Sequence, residues 1–153
     1  MKAEPLKTDL IGDKTLKTDE RIEFFGEVDE LQANIMLVVH YVEDIKMQME
    51  LRKISSLLST MMGEVAGGYG HIGEMHLNEL LEVIAKYEES VGHFNGFILP
   101  GTTLMGARFH VLRTITRRAE RAYARVFEKY GGSGYIFEFI NKMSTLFYAI
   151  GRN

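Results

Sequence analysis

The sequence predicts an all-α protein, a five-helix up-and-down bundle with ferritin-like overall packing. Two observations lead to this prediction. Apolar residues recur every three or four positions in five separate segments, and glycines mark the breaks between several of those segments. Only two prolines occur in 153 residues, and no segment shows convincing alternation of apolar and polar residues. Short connections between five helices favour an up-and-down arrangement.

The first two helices are predicted from apolar stripes. The first stripe comprises Phe24, Val28, Leu31, Ile35, Val38 and Val42, and the second comprises Leu51, Ile54, Leu58, Met61 and Val65. Asp19 or Thr18 is expected to cap the first helix, because a short oxygen-bearing side chain can accept from the free N–H groups of a first turn. Gly67 is expected to end the second helix, since glycine continues a helix poorly.

Three further helices follow the same rule. The third stripe comprises Leu77, Leu80, Leu81, Ile84, Tyr87 and Val91. The fourth helix is predicted over residues 103–130, with Leu112, Ile115, Ala119, Ala122 and Val126 on its core side. The fifth is predicted over residues 135–152, with Ile136, Phe139, Ile140, Met143, Leu146, Phe147 and Ile150. Residues 1–18 are expected to form a polar N-terminal tail and residues 19–153 a single domain.

Composition excludes several kinds of chemistry. The chain has no cysteine, which excludes a disulfide framework, a thiolate metal site and a cysteine nucleophile. A net charge of −3 is too small to indicate a nucleic acid or a membrane as partner. No apolar run resembles a signal peptide or a membrane span, so we expect a cytoplasmic protein without membrane or nucleic-acid partners.

Charge is nevertheless unevenly distributed. Six of the nine arginines lie within residues 105–125, where Glu120 is the only acid. Arg113, Arg117 and Arg121 are spaced by four residues, so they line one face of the fourth helix. Guanidinium groups on one face suit a polyphosphate, because each can make paired hydrogen bonds to it. The alternative interpretation is a solvated basic face with intrahelical ion pairs.

Four segments, in this order, carry a family resemblance: residues 25–31 (FGEVDEL), 97–101 (FILPG), 110–121 (HVLRTITRRAER) and 139–144 (FINKMS). With them the chain resembles the trimeric ATP:cob(I)alamin adenosyltransferases of the propanediol-utilisation type. The resemblance implies a five-helix bundle that forms a homotrimer with active sites between subunits. It also implies transfer of the 5'-deoxyadenosyl group of ATP to Co(I) of cobalamin, with release of triphosphate and with Mg²⁺ as the accompanying metal.

The resemblance also assigns site residues by position. Those placed at the nucleotide and its triphosphate are Lys17, Arg117, Arg118, Glu120, Arg121 and Asn141. Asp29 and Arg113 match an acid and an arginine that pair across the subunit boundary. Phe97 matches a phenylalanine at the lower face of the corrin, where it helps to displace the axial ligand of cobalt. ATP, cobalamin, further copies of the chain and a cobalamin-dependent acceptor enzyme are the implied partners.

Two alternatives to this enzyme remain open at this point. Relatives carry a Thr-Gly-Asp-x-Gly-x-Thr phosphate loop before the first helix, which residues 11–15 resemble only faintly. The first alternative is therefore a non-catalytic corrinoid-binding or delivery protein of the same fold. The second is a helical oligomer whose arginines bind another polyanion, but the segments 25–31 and 97–101 do not favour it. The histidines predict no di-iron site, because no Glu-x-x-His pair occurs.

Overall fold

The computed structural model describes residues 5–91 and 101–152, and within them it shows five helices preceded by a small β-hairpin. The elements are β1 (Lys7–Leu10), β2 (Asp13–Leu16), α1 (Glu20–Val39), α2 (Ile45–Val65), α3 (Glu74–Val91), α4 (Leu104–Tyr130) and α5 (Gly134–Gly151). The five predicted helices are thus present. The prediction that the chain is purely α-helical was wrong.

The hairpin occupies most of the segment predicted as a tail. Its strands are antiparallel, with Lys7 opposite Leu16, and a two-residue turn connects them. Gly12 in that turn has φ +76°, a conformation that glycine adopts without steric cost. Each strand is only four residues long and mostly exposed, so apolar alternation could not reveal it. The tight turn with glycine was the available signal.

The helix boundaries follow from local chemistry. The predicted cap Asp19 accepts from the backbone N–H of Arg21 at 2.8 Å, and Asp44 accepts from Lys46 at the start of α2. Thr103 and Ser133 cap α4 and α5 in the same way. These side chains satisfy N–H groups that have no acceptor within the helix. At the other end of α4, Gly131 stops the helix with φ +73°.

Ion pairs between helices show that two pairs of helices are antiparallel. Glu20 at the start of α1 binds Lys129 at the end of α4, so these two helices are antiparallel. Between α2 and α3, Lys53 pairs with Glu79 and Lys86 pairs with Glu50, which is also an antiparallel order. Helix α5 packs between α3 and α4. Among the described residues, no helix is long and apolar enough to cross a membrane.

The core is built from the predicted stripes. Phe24, Leu31, Leu112 and Phe139 are completely buried, together with most other stripe residues. Near the end of α4, the ring of Tyr123 lies 4.7 Å from that of Phe137, and its hydroxyl donates to the backbone oxygen of Ser133 at 2.9 Å. A buried tyrosine hydroxyl needs such an acceptor. The contact fixes the α4–α5 connection against the core.

Helices α4 and α5 approach each other closely where two glycines face each other. A Cβ atom added to Gly106 would lie 2.9 Å from the backbone oxygen of Gly151. A Cβ atom added to Gly151 would lie 3.3 Å from the Cβ atom of Phe109. Only residues without a side chain permit this backbone separation. The start of α4 is therefore held directly against the end of α5.

One buried carboxylate connects the hairpin to two helices. The side chain of Asp19 is 6 % exposed, and it accepts hydrogen bonds from Thr15 at 2.8 Å, from the Arg21 guanidinium and from the hydroxyl of Tyr130 at 2.7 Å. Hydrogen bonds from the Arg21 side chain, supported by Tyr130, lower the pKa of Asp19 far below its ordinary value despite burial. Asp19 therefore stays ionised and links β2, α1 and the end of α4.

Asp19→Asn is expected to lower the free energy of unfolding by about 2–4 kcal/mol, because the substitution removes the charge from a buried, hydrogen-bonded pair. The measurement is urea unfolding followed by circular dichroism. Asp44→Asn is the matched control, since Asp44 is an exposed helix cap and asparagine caps equally well. Similar losses in both variants would contradict the role given to Asp19.

The stability that Asp19 contributes depends on pH in a predictable direction. The pKa of Asp19 is lower in the folded than in the unfolded state, so its stabilising effect is present above the unfolded value of about 4 and is lost as pH falls below it. The stability difference between wild type and Asp19→Asn should therefore shrink below about pH 4. A difference that stays constant down to pH 2 would show that charge is not the cause.

Candidate functional site

The structure places three of the predicted arginines on successive turns of α4. Arg117 and Arg121 are exposed, and neither side chain makes an ion pair or hydrogen bond to another described residue. Arg113, one turn earlier, is half-buried. Two arginines whose Cα atoms lie about 6 Å apart along the helix axis therefore have guanidinium groups that are free to bind an anion.

Glu120 and Asn141 are brought together from neighbouring helices. The side-chain amide nitrogen of Asn141 on α5 donates to Oε1 of Glu120 on α4 at 3.2 Å. Glu120 is half-buried and Asn141 is exposed. Glu120 follows Arg117 by three residues and Arg121 follows Arg117 by four, so these side chains lie on one side of α4 and share an α4–α5 surface with Asn141. Sequence reasoning predicted both residues, but it did not predict that they contact each other.

Arg118 has a different environment from Arg117. Its Nε donates to Oε2 of Glu27 at 2.5 Å, and its Nη2 donates to Glu30. Both acids belong to α1, and these hydrogen bonds, first from Glu27 and then from Glu30, raise the pKa of Arg118. Sequence reasoning did not assign a role to either acid. Their spacing of three residues on one helix was the available signal, because it places both on one side of α1.

Arg113 is held by a histidine that sequence reasoning also missed. Its Nε donates to Nδ1 of His110 at 3.2 Å. Burial, and to a lesser extent the charge of Arg113, lowers the pKa of His110. The imidazole therefore stays neutral and accepts through Nδ1. This contact fixes the side chain of Arg113 one turn before the exposed arginines.

The remaining predicted residues lie elsewhere. Asp29 is exposed on α1, and no described residue forms an ion pair with it. Lys17 follows β2, where its backbone N–H donates to the oxygen of Leu6 at 2.7 Å and its side chain is exposed. Phe97 lies outside the described residues. Over residues 5–91 and 101–152, no group of three or more histidines, aspartates or glutamates is placed to hold a metal ion.

Comparisons with known proteins agree on one family. The family model described as cobalamin adenosyltransferase matches residues 6–153. A corrinoid adenosyltransferase from Citrobacter freundii is 26% identical over 148 residues, covering 92% of this chain and 84% of that protein.

Two solved structures extend this likeness to the fold. Both are variants of the PduO-type ATP:corrinoid adenosyltransferase from Lactobacillus reuteri, one complexed with ATP and one with cobalamin and ATP. They are 31% and 30% identical to this chain, each with a TM-score of 0.89. Each match covers 96% of this chain, and 87% and 84% of the respective relatives.

Arg113→Gln is expected to raise the pKa of His110, because the substitution removes a nearby positive charge. The pKa should remain below its ordinary value, since burial is the larger cause and persists. Titration of the imidazole by NMR measures the change. Arg125→Gln, farther along the same helix, is the control and should leave the titration unchanged. An unaltered pKa in Arg113→Gln would contradict the contact between these two side chains.

Proposed function

The chain belongs to the cobalamin adenosyltransferase family, so its reaction is the transfer of an adenosyl group from ATP to cobalamin, and we propose that the exposed arginines of α4 bind the triphosphate of ATP. The observation that carries this proposal is the pair Arg117 and Arg121. Both are exposed and unpaired among the described residues. An arginine left without a carboxylate partner can give its hydrogen bonds to phosphate oxygens.

The reaction needs charge stabilisation more than a protein nucleophile. We propose that Co(I) of the corrin substrate attacks C5' of ATP, that the bond from C5' to the triphosphate oxygen breaks, and that triphosphate leaves with the electron pair. Negative charge then develops on the leaving group, which Arg117 and Arg121 can neutralise. Holding the nucleotide in line with cobalt contributes orientation. No side chain has to supply the attacking atom.

The α4–α5 surface supplies the polar groups for orientation. We assign Asn141 to the nucleotide and Glu120 to the position of Asn141, because their side chains are hydrogen-bonded. Mg²⁺ usually binds through one or two carboxylates and the phosphates of its nucleotide. Glu120, half-buried beside Arg121, is a carboxylate that fits this requirement. Mg²⁺ would supply further positive charge to the triphosphate.

We further propose that the functional assembly is a homotrimer with shared sites. Exposed Asp29 on α1 would pair with Arg113 of a neighbouring subunit, and exposed Lys17 would approach its ATP. Half-exposed apolar side chains are suited to burial between subunits, and they include Leu37 on α1, Tyr41 just after α1 and Val111 on α4. Phe97 is assigned to the corrin face, and a cobalamin-dependent enzyme is the expected acceptor of the product.

Arg117→Gln is expected to lower kcat/KM for ATP by about 10²–10³, because the leaving triphosphate loses one of its charged donors. The measurement is anaerobic: the protein is mixed with reduced cobalamin and MgATP, and formation of adenosylcobalamin is followed by its absorption spectrum. Arg52→Gln, an exposed arginine on α2, is the control and should keep full activity. An unchanged kcat/KM for ATP in Arg117→Gln would remove Arg117 from the site.

Asp29→Asn is expected to weaken assembly or activity, because its charge pairs across the proposed subunit boundary. Analytical ultracentrifugation gives the oligomeric state, and the same anaerobic assay gives the rate. Asp9→Asn, an exposed acid on the hairpin, is the control. A fully active Asp29→Asn trimer would contradict the proposed pairing with Arg113.

A further inference from the structure

Arg117 and Arg118 are adjacent in sequence but differ in what they can bind. Consecutive residues of a helix point in directions about 100° apart. Arg117 has no partner among the described residues, whereas Arg118 is held by two carboxylates of α1. The resemblance places both arginines on the triphosphate. In the structure, the two side chains have different environments.

We infer that Arg118 is a positioning residue that acts through Glu27 and Glu30 and does not bind the triphosphate. This inference rests on the proposed function, because it concerns the same site. Arg118 uses two different donors, Nε for Glu27 and Nη2 for Glu30. The Nε–Nη2 side of Arg118 is occupied by carboxylates, so it cannot make the paired hydrogen bonds to a phosphate that an arginine makes through that side.

The local charge supports this assignment. Glu27 and Glu30 carry two negative charges against the single positive charge of Arg118, and Asp29 lies between them in the chain. If Arg118 turned to the triphosphate, both glutamates would lose their partner close to a polyanion. Glu27 would lose most, because its side chain is only 14 % exposed. A shielded carboxylate without a partner is unfavourable.

Two consequences follow for the reaction. Arg118 fixes α4 against α1, so the segment that carries Asp29 keeps a constant position relative to Arg117 and Arg121. It also neutralises acids that would otherwise repel ATP. A loss of Arg118 should therefore affect ATP binding only as long as the two glutamates are charged.

The test is a mutant cycle on the full chain. Arg118→Gln is made in the native protein and in a protein that carries Glu27→Gln and Glu30→Gln. Arg117→Gln is made in the same two backgrounds as the matched comparison. KM for ATP and kcat are measured in the anaerobic assay, and calorimetry measures the binding of inorganic tripolyphosphate, which needs no turnover.

In the native background, Arg118→Gln should raise KM for ATP and weaken tripolyphosphate binding by about five- to tenfold, with kcat changed by less than about twofold. In the background without the two acids, Arg118→Gln should change KM for ATP and the affinity for tripolyphosphate by less than about twofold each. Arg117→Gln should weaken binding to a similar extent in both backgrounds, because it acts on the phosphate directly.

Equal effects of Arg118→Gln in the two backgrounds, including no effect in either, would overturn the inference. If Arg118→Gln alone does not fold, the comparison is made in the protein that carries Glu27→Gln and Glu30→Gln. If adding Arg118→Gln to that protein weakens tripolyphosphate binding, the inference is overturned, and if binding is unchanged, the inference is supported. Failure of the wild-type protein to form adenosylcobalamin would instead overturn the proposed function. The two failures are therefore distinguishable.

Discussion

The antiparallel packing of α1 on α4 is the constraint on which the candidate site depends. Basic side chains of α4 bind α1 at two levels, because Lys129 pairs with Glu20 at one end and Arg118 pairs with Glu27 and Glu30 in the middle. Near the other end, the guanidinium carbon of Arg108 lies 3.5 Å from the ring centre of Tyr41, just after α1. Each contact alone is worth little in water. Together with the buried stripes of both helices they fix the position of α4, and the remaining arginines of that helix are left for an anion.

Much of the fold could be predicted, because its signals are local. The three-to-four periodicity gave all five helices, and Asp19 was correctly expected to cap α1, since a cap depends on residues close in sequence. The hairpin was missed because strands of four mostly exposed residues leave no periodic pattern. The additional contacts of Asp19 with Thr15 and Tyr130 could not be predicted from the sequence either. Tyr130 is more than a hundred residues away, and helix periodicity does not specify which helices pack together.

The candidate site shows the same limit. Residue types and spacing identified the arginine face, and the contact of Glu120 with Asn141 joins two residues that were predicted separately. The sequence could not distinguish Arg117 from Arg118, because both lie in one basic segment and differ only in what α1 presents to them. The sequence assigned no role to His110, yet its Nδ1 accepts from Arg113 and orients that side chain. The binding roles of the α4 arginines, Glu120 and Asn141 remain predictions. So do the assignments of Phe97, Lys17 and Asp29, and the trimer.

Gly106 at the start of α4 and Gly151 at the end of α5 allow the two backbones to lie close together. This short separation influences the position of the whole of α4. Gly106 lies about 16 Å along the axis from Arg117, and α4 is otherwise held along α1 and α5. A side chain at Gly106 would push the start of α4 away from α5, and a rigid helix tilts as a unit when one end is displaced. The absence of side chains at Gly106 and Gly151 sets the separation of the two backbones. That separation helps to determine the position of Arg117, three turns farther along α4. Residues with no functional group of their own therefore contribute to the geometry of anion binding.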